Sequence, residues 1–286
     1  MRKIFLILFI FLALLSCKST YTCVGNKNAN YIPYYLEVNS AMELYHSKED
    51  EKCFRKLDSL FNYYEPKQTL FINELDIYFE LAYKYKNKSK LKKIINILIT
   101  EYGYNIEKDT SELINGIKKL SGVSNKKLTK KFNIYQNKLK PTLIDSLYEM
   151  SKFDQLYRNE KNYIRIDSID KVNEKKLREI FKKYGFPTYK LTGGLNMGDK
   201  FSPTTMSVLL KHISESAFYE FEPFLFEQLK TGRCDPFVYA GMIDHKITID
   251  QVMIPFTYLG SYRNITPKNK EETNMARLKI GLPPLK

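Results

Sequence analysis

The chain of 286 residues has no tryptophan, three histidines, four cysteines and only eight arginines against 38 lysines. Each scarcity closes off something. No two of the cysteines (17, 23, 53 and 234) stand at the spacing of a metal site, so no cysteine-held metal centre is expected. The net charge of +14 raises the question of nucleic acid. Yet there is no arginine-rich run and no aromatic stacking motif, and the lysines are dispersed among Asn, Ile and Tyr. They read as solvated faces, and no nucleic-acid partner is expected. On a tethered protein such lysines could also touch anionic headgroups. A G-x-S-x-G nucleophile elbow is missing as well. The glycine-rich "TGGLNMG" at Thr192–Gly198 lacks the Lys-Ser/Thr ending of a P-loop and follows no strand, so it reads as a turn.

Long apolar runs are also missing, with one exception. "MRKIFLILFIFLALLSC" begins with Arg2 and Lys3, continues apolar from Ile4 to Leu15, and stops at Ser16-Cys17. The run is short for a spanning helix and reads as a secretory signal over 1–16. Its Leu-x-Ser-Cys ending resembles a bacterial lipobox, which implies removal of residues 1–16 and lipidation of Cys17. Acyl chains of that kind anchor a protein without a spanning segment. The expected location is the outer side of a bacterial envelope membrane, with the membrane as partner through the lipid. Cys23, Cys53 and Cys234 then form an odd set in a disulfide-permissive compartment. One bridge with one thiol, or three buried thiols, both fit.

Composition divides what remains. Eight of the twelve glycines lie from Gly185 onward and eight of the eleven prolines from Pro187 onward. Residues 17–31 are polar and suit a flexible tether. From 32 to 140 the pattern is helical, with Leu70, Leu75, Ile77, Leu81 and Tyr85 marking an apolar stripe. Short breaks such as "SKED" and "YEPKQ" imply antiparallel helix pairs. "AYKYKNKSKLKKIINILITEYGYN" resembles the turn and second helix of tetratricopeptide-like repeats. This region is either a plain bundle or a scaffold with a face for a protein partner. Pro141 can open a helix at its first position and marks the start of a second helical domain, 141–286, with irregular loops. The fold class expected is all-α.

In the second domain polar side chains fall where helical phasing calls for hydrophobes. Leu143, Leu147 and Met150 are followed on the same stripe by Asp154 and Arg158. Burying that pair is costly unless each member is hydrogen-bonded. In the next helix the stripe Leu177, Ile180, Phe181, Tyr184 runs back to Asn173 and Asp170, and Asp170 is the favoured N-cap with Gly185 and Pro187 as the stop. Met206, Leu209, Leu210 and Ile213 mark a third helix, opened by Ser202-Pro203, with His212 at the edge of its stripe. Asp235-Pro236 caps a fourth, in which Phe237, Ala240 and Asp244 share a face.

Taken in order, Asp154-Gln155-x-x-Arg158, Asp170-x-x-Asn173, Gly185-Phe186-Pro187-Thr188, His212, Tyr239-Ala240-x-x-x-Asp244 and "NMARLKIGLPPL" resemble a bacterial domain family of unknown function found on secreted and lipid-anchored proteins. The resemblance covers about Leu147 to Leu285. It implies that Asp154, Arg158, Asp170, Asn173, His212, Asp244 and Arg277 belong together. This chain departs from the family at His245, where arginine is usual, and at "FTYLGSY" (256–262), where the family has a Tyr-Gly-Thr-Gln-like turn. Three uses of such a cluster are open: a binding site, a polar network fixing helix packing, or acid–base chemistry of a hydrolase kind. In the last, His212 would be oriented by Asp154 or Asp244 while Arg158 holds an anion. Metal ligation by His212, Glu215, Asp244 and His245 is disfavoured, because neighbours on a helix diverge by about 100°. No cofactor is expected. The favoured function is a binding or interaction module.

Overall fold

A computed structural model describes residues 21–106, 108–194, 205–249, 257–259 and 269–286. The signal segment, Cys17, most of the glycine-rich turn and Ser202-Pro203 lie outside the described residues. Among the described residues there are thirteen helices and no strand beyond an isolated bridge between Thr22 and Tyr64. The fold is all-α.

Six helices form the first half: α1 (Ile32–His46), α2 (Asp50–Tyr63), α3 (Glu74–Lys84), α4 (Lys88–Tyr102), α5 (Glu112–Ser121) and α6 (Asn125–Gln136). Their ends follow local chemistry. Pro33 lies in the first turn of α1; Asn87 caps α4 by accepting from the Lys90 N–H; Gly103 closes it in the left-handed region. Each helix packs on the next from α1 to α4, and α5 and α6 both return to α4. The three-residue links 47–49 and 85–87 make α1/α2 and α3/α4 antiparallel pairs. The buried faces carry Tyr34, Tyr35 and Val38 from α1, Leu57 and Phe61 from α2, and Leu91, Ile95 and Leu98 from α4. Each such side chain contributes on the order of 2 kcal/mol.

The second half contains α7 (Pro141–Asn159), α8 (Tyr163–Tyr184), the short α9 (Tyr189–Thr192), α10 (Thr205–Lys211), α11 (Glu215–Lys230), α12 (Pro236–Ile249) and α13 (Lys270–Lys279). Helices α7 and α8 pair; α10 packs against both α7 and α12; α11 packs on α12.

The structure corrects three expectations and adds one helix. Helix α8 begins seven residues before Asp170: Asn162 is its cap, accepting from the Arg165 N–H at 3.1 Å, so Asp170 lies two turns inside the helix. Helix α11 is an addition to the helices expected from the sequence: Ser214 caps it, Pro223 lies within it, and Ala217, Phe221, Leu225 and Leu229 line one buried face. The described part of the supposed tether is packed structure. Tyr31 is wholly buried, its hydroxyl donating to the carbonyls of Thr22 and Glu65, and the Gly25 N–H donates to Thr231 O at 2.7 Å. Finally, the core does not part at Pro141. One cluster of buried apolar side chains includes members from both halves, α9 touches α4 as well as α7, and α13 touches α1.

Candidate functional site

Helical phasing on α7 puts Asp154 on the buried side, where its carboxylate is inaccessible to solvent, and Arg158 one turn later at the margin. Helix α8 brings Asp170 beside Arg158, and the end of α10 brings His212. Arg158 Nη2 donates to Asp170 Oδ1 at 2.6 Å and to Asp154 Oδ1 at 3.2 Å, and Gln155 Nε2 donates to Asp154 Oδ2 at 2.6 Å. His212 Nδ1 lies 2.8 and 3.0 Å from the two Asp154 oxygens and 3.0 Å from Arg158 Nε. One ring nitrogen cannot donate to the first and accept from the second. The shorter contact and the carboxylate charge favour a proton on Nδ1 donated to Asp154. Burial would raise the Asp154 carboxyl, but the hydrogen bond and charge of His212, then Arg158 and Gln155, hold it below its ordinary value. Asp170 goes the other way: burial raises it despite Arg158. Asn173, one turn along α8, is buried; its Nδ2 donates to Met150 O at 3.4 Å, while its Oδ1 has no partner among the described residues.

Asp244 and Arg277 form a separate knot. Asp244 accepts from the Tyr258 and Leu259 N–H groups, both at 2.8 Å, and Arg277 donates to the carbonyls of Pro283, at 2.6 Å, and Tyr258. The described part of the 256–262 turn is thus held from both sides. Burial pushes the Asp244 carboxyl up to about 6 against those two N–H bonds and the Arg277 charge. The two knots approach each other through His245, whose buried ring stands edge-on to that of His212 with centroids 5.8 Å apart. So four of the seven expected residues are in direct contact, Asn173 adjoins them, and Asp244 and Arg277 serve another loop.

A mainly apolar cleft lies elsewhere. Partly open to solvent, and with an empty space of about 730 Å³ that includes the open solvent at its mouth, it runs between the segment after α2, the end of α4, the Phe186–Lys190 link and the turn before α12. None of the seven expected residues lines it. Its walls are mainly aromatic and aliphatic, with Tyr102, Phe186, Tyr189, Met206 and Val238 prominent. Its charges are held in place. Lys190 pairs with Glu65 and, at 3.0 Å, with Glu101. Lys67 is buried, donating to the Tyr35 hydroxyl and to Gly232 O, each at 3.0 Å. Burial lowers its pKa against the pull of Asp235 and Glu74. Asp235, whose own pKa is raised by burial, receives the N–H groups of Leu70 at 2.7 Å and Phe237 at 2.9 Å.

Sequence reading missed this cleft because it is assembled from helix ends and the links between them, where Lys67 resembles any other lysine. Two signals were present. Arginine is rare, which singles out Arg233, and the Gly-Phe-Pro-Thr motif that supplies Phe186 to the wall had already been noted.

Cys23, Cys53 and Cys234 all carry free thiols, and burial raises the Cys53 thiol to about 11, so it is a packing residue. Among the described residues no three His, Cys, Asp or Glu side chains are grouped to hold a metal ion. No protein-family model, curated protein or solved structure matches the chain.

Proposed function

We propose that the protein is a lipid-anchored binding module of the bacterial envelope that holds a small ligand in the cleft between its two helical halves. The cleft carries this reading: it is concave, mainly apolar, and set with a few charged groups fixed by the surrounding fold. The lipobox-like ending at Cys17 supports the anchor. A second reading, hydrolase-like chemistry at His212 with Asp154 and Arg158, draws support from the Asp154–His212 contact. It is the weaker of the two. Asp154 is sealed, Asp244 is committed to the Tyr258 turn, and the network stands apart from the cleft.

Met206 lines the cleft and offers a reporter. The full chain, held in nanodiscs and labelled at its methionine methyl groups, is titrated with neutral 3-phenyl-1-propanol and followed by NMR. A saturable shift of the Met206 signal is expected, with buried Met150 unmoved and the response abolished by Val238→Trp, which fills the cleft. No saturable shift at Met206 with this alcohol or with charged probes of the same apolar body, or equal drift of both methionines, overturns the binding reading.

A further inference from the structure

We propose that the cleft selects ligands carrying one anionic head on an apolar body, and that Arg233 is the residue that holds the head; this rests on the cleft being a binding site.

Lys190 is matched by Glu65 and Glu101, with Lys138 a further 3.9 Å from Glu101. Lys67 has two oxygen partners, the ring of Tyr35 beneath it at 4.8 Å, and the field of Asp235. Arg233 likewise has no carboxylate within 4 Å among the described residues, but unlike Lys67 it is not fully buried. Among the described residues its guanidinium has one hydrogen-bond partner, Tyr184 O, 3.3 Å from Nη1. A guanidinium has five N–H donors in a planar fork, so most of its bonding capacity is unused on the cleft wall.

That guanidinium has a built seat. A Cβ at Gly25 would stand 2.6 Å from Arg233 Nε, and one at Gly185 would stand 2.5 Å from Nη1. Both glycines also have positive φ, +82° and +69°. Two chain segments far apart in sequence therefore lack side chains where the guanidinium passes between them. The turn beneath is fixed too, with the Arg233 and Cys234 N–H groups both donating to Gln228 O. A rigid, half-buried, unpaired fork beside aromatic walls fits a carboxylate or phosphate in bidentate fashion, with the ligand's apolar part against Phe186, Tyr189 and Val238.

The test uses four probes with one apolar body: 3-phenylpropionate, 3-phenylpropyl phosphate, 3-phenyl-1-propanol and 3-phenylpropylamine. Each is titrated into the nanodisc-held full chain with Met206 as reporter. One of the two anions is expected to bind at least tenfold tighter than the alcohol, the stronger identifying the head as carboxylate or phosphate, and the amine weakest. Arg233→Gln should bring the anions level with the alcohol. Arg233→Lys, which keeps the charge and loses the fork, should retain only part of the preference, and its unchanged melting temperature would exclude misfolding. If the alcohol moves Met206 as strongly as both anions, the anchor is refuted while the cleft stands as a binding site. If no probe moves Met206, both readings fall. Anion preference undiminished in a folded Arg233→Gln would refute the assignment to Arg233.

Discussion

Glu74 is wholly buried at the start of α3, where its carboxyl accepts the Thr69 N–H at 2.9 and 3.0 Å and meets the Thr69 hydroxyl at 2.5 Å. Burial nevertheless pushes its pKa up to about 7, against Thr69 and the charge of Lys67. The folded state therefore keeps this proton at a pH where the unfolded chain has released it. Its contribution to stability is full below about 4.5 and is lost as pH rises through about 7. Asp244, raised to about 6, adds a loss of the same sign. Glu74→Gln should flatten the fall in stability between these limits and stabilise the protein at pH 8 by up to roughly 3 kcal/mol. Urea unfolding across pH checks this, with Asp244 leaving a residual slope. Asp154 behaves oppositely: its depressed pKa gives stability that is lost only as the medium becomes strongly acidic. Asp154→Ala at pH 7 should cost about 3 kcal/mol, because His212 and part of the Arg158 fork lose their buried partner. If the network serves packing alone, His212→Ala lowers the unfolding free energy but leaves the Met206 response to phenylpropanol unchanged. Loss of that response in a stably folded His212→Ala protein would tie the network to the cleft.

At the scale of the element, helix α8 carries the clearest lesson. Asn162 and Asp170 both look like caps, and hydrogen bonding decides between them: Asn162 satisfies an N–H of the first turn, while Asp170 binds Arg158. Asn162→Ala should therefore destabilise the protein by about 1 kcal/mol through the helix start. Asp170→Asn should leave that start intact and act only through the Arg158 network. A hydrogen-exchange measurement on the first turn of α8 separates them, with faster exchange expected in Asn162→Ala alone. At the other end, Gly185 does two things. It ends α8 with a positive φ, and it clears the path of Arg233.

For the whole molecule, the two halves differ in composition but share a core. Tyr35 of α1 donates to Cys234 O at 3.0 Å, Lys67 reaches Gly232 O, and the 21–31 segment lies against the end of α11. The cleft exists only where those halves meet, with α9 lodged between α4 and α7. Membrane attachment is tested at the same scale. Cys17→Ala should abolish incorporation of an alkyne-tagged palmitate and release the chain from the membrane fraction; labelling that persists in that variant would remove the lipid-anchor proposal.

Periodicity alone determined that the chain is all-α, because stripes such as Leu143-Leu147-Met150 are written in local spacing that folding does not rearrange. The same spacing placed Asp154 on a buried face and set Arg158 beside it. Tertiary structure decided the rest, since phasing says which face a residue occupies but not what meets it there. It joined Asp170 and His212 to Arg158, assigned Asp244 and Arg277 to a different loop, and packed residues 21–31 that composition read as free. It also assembled the cleft from helix ends and the links between them, where Gly25, Gly185 and Arg233 acquire a shared purpose only once the chain has brought them together.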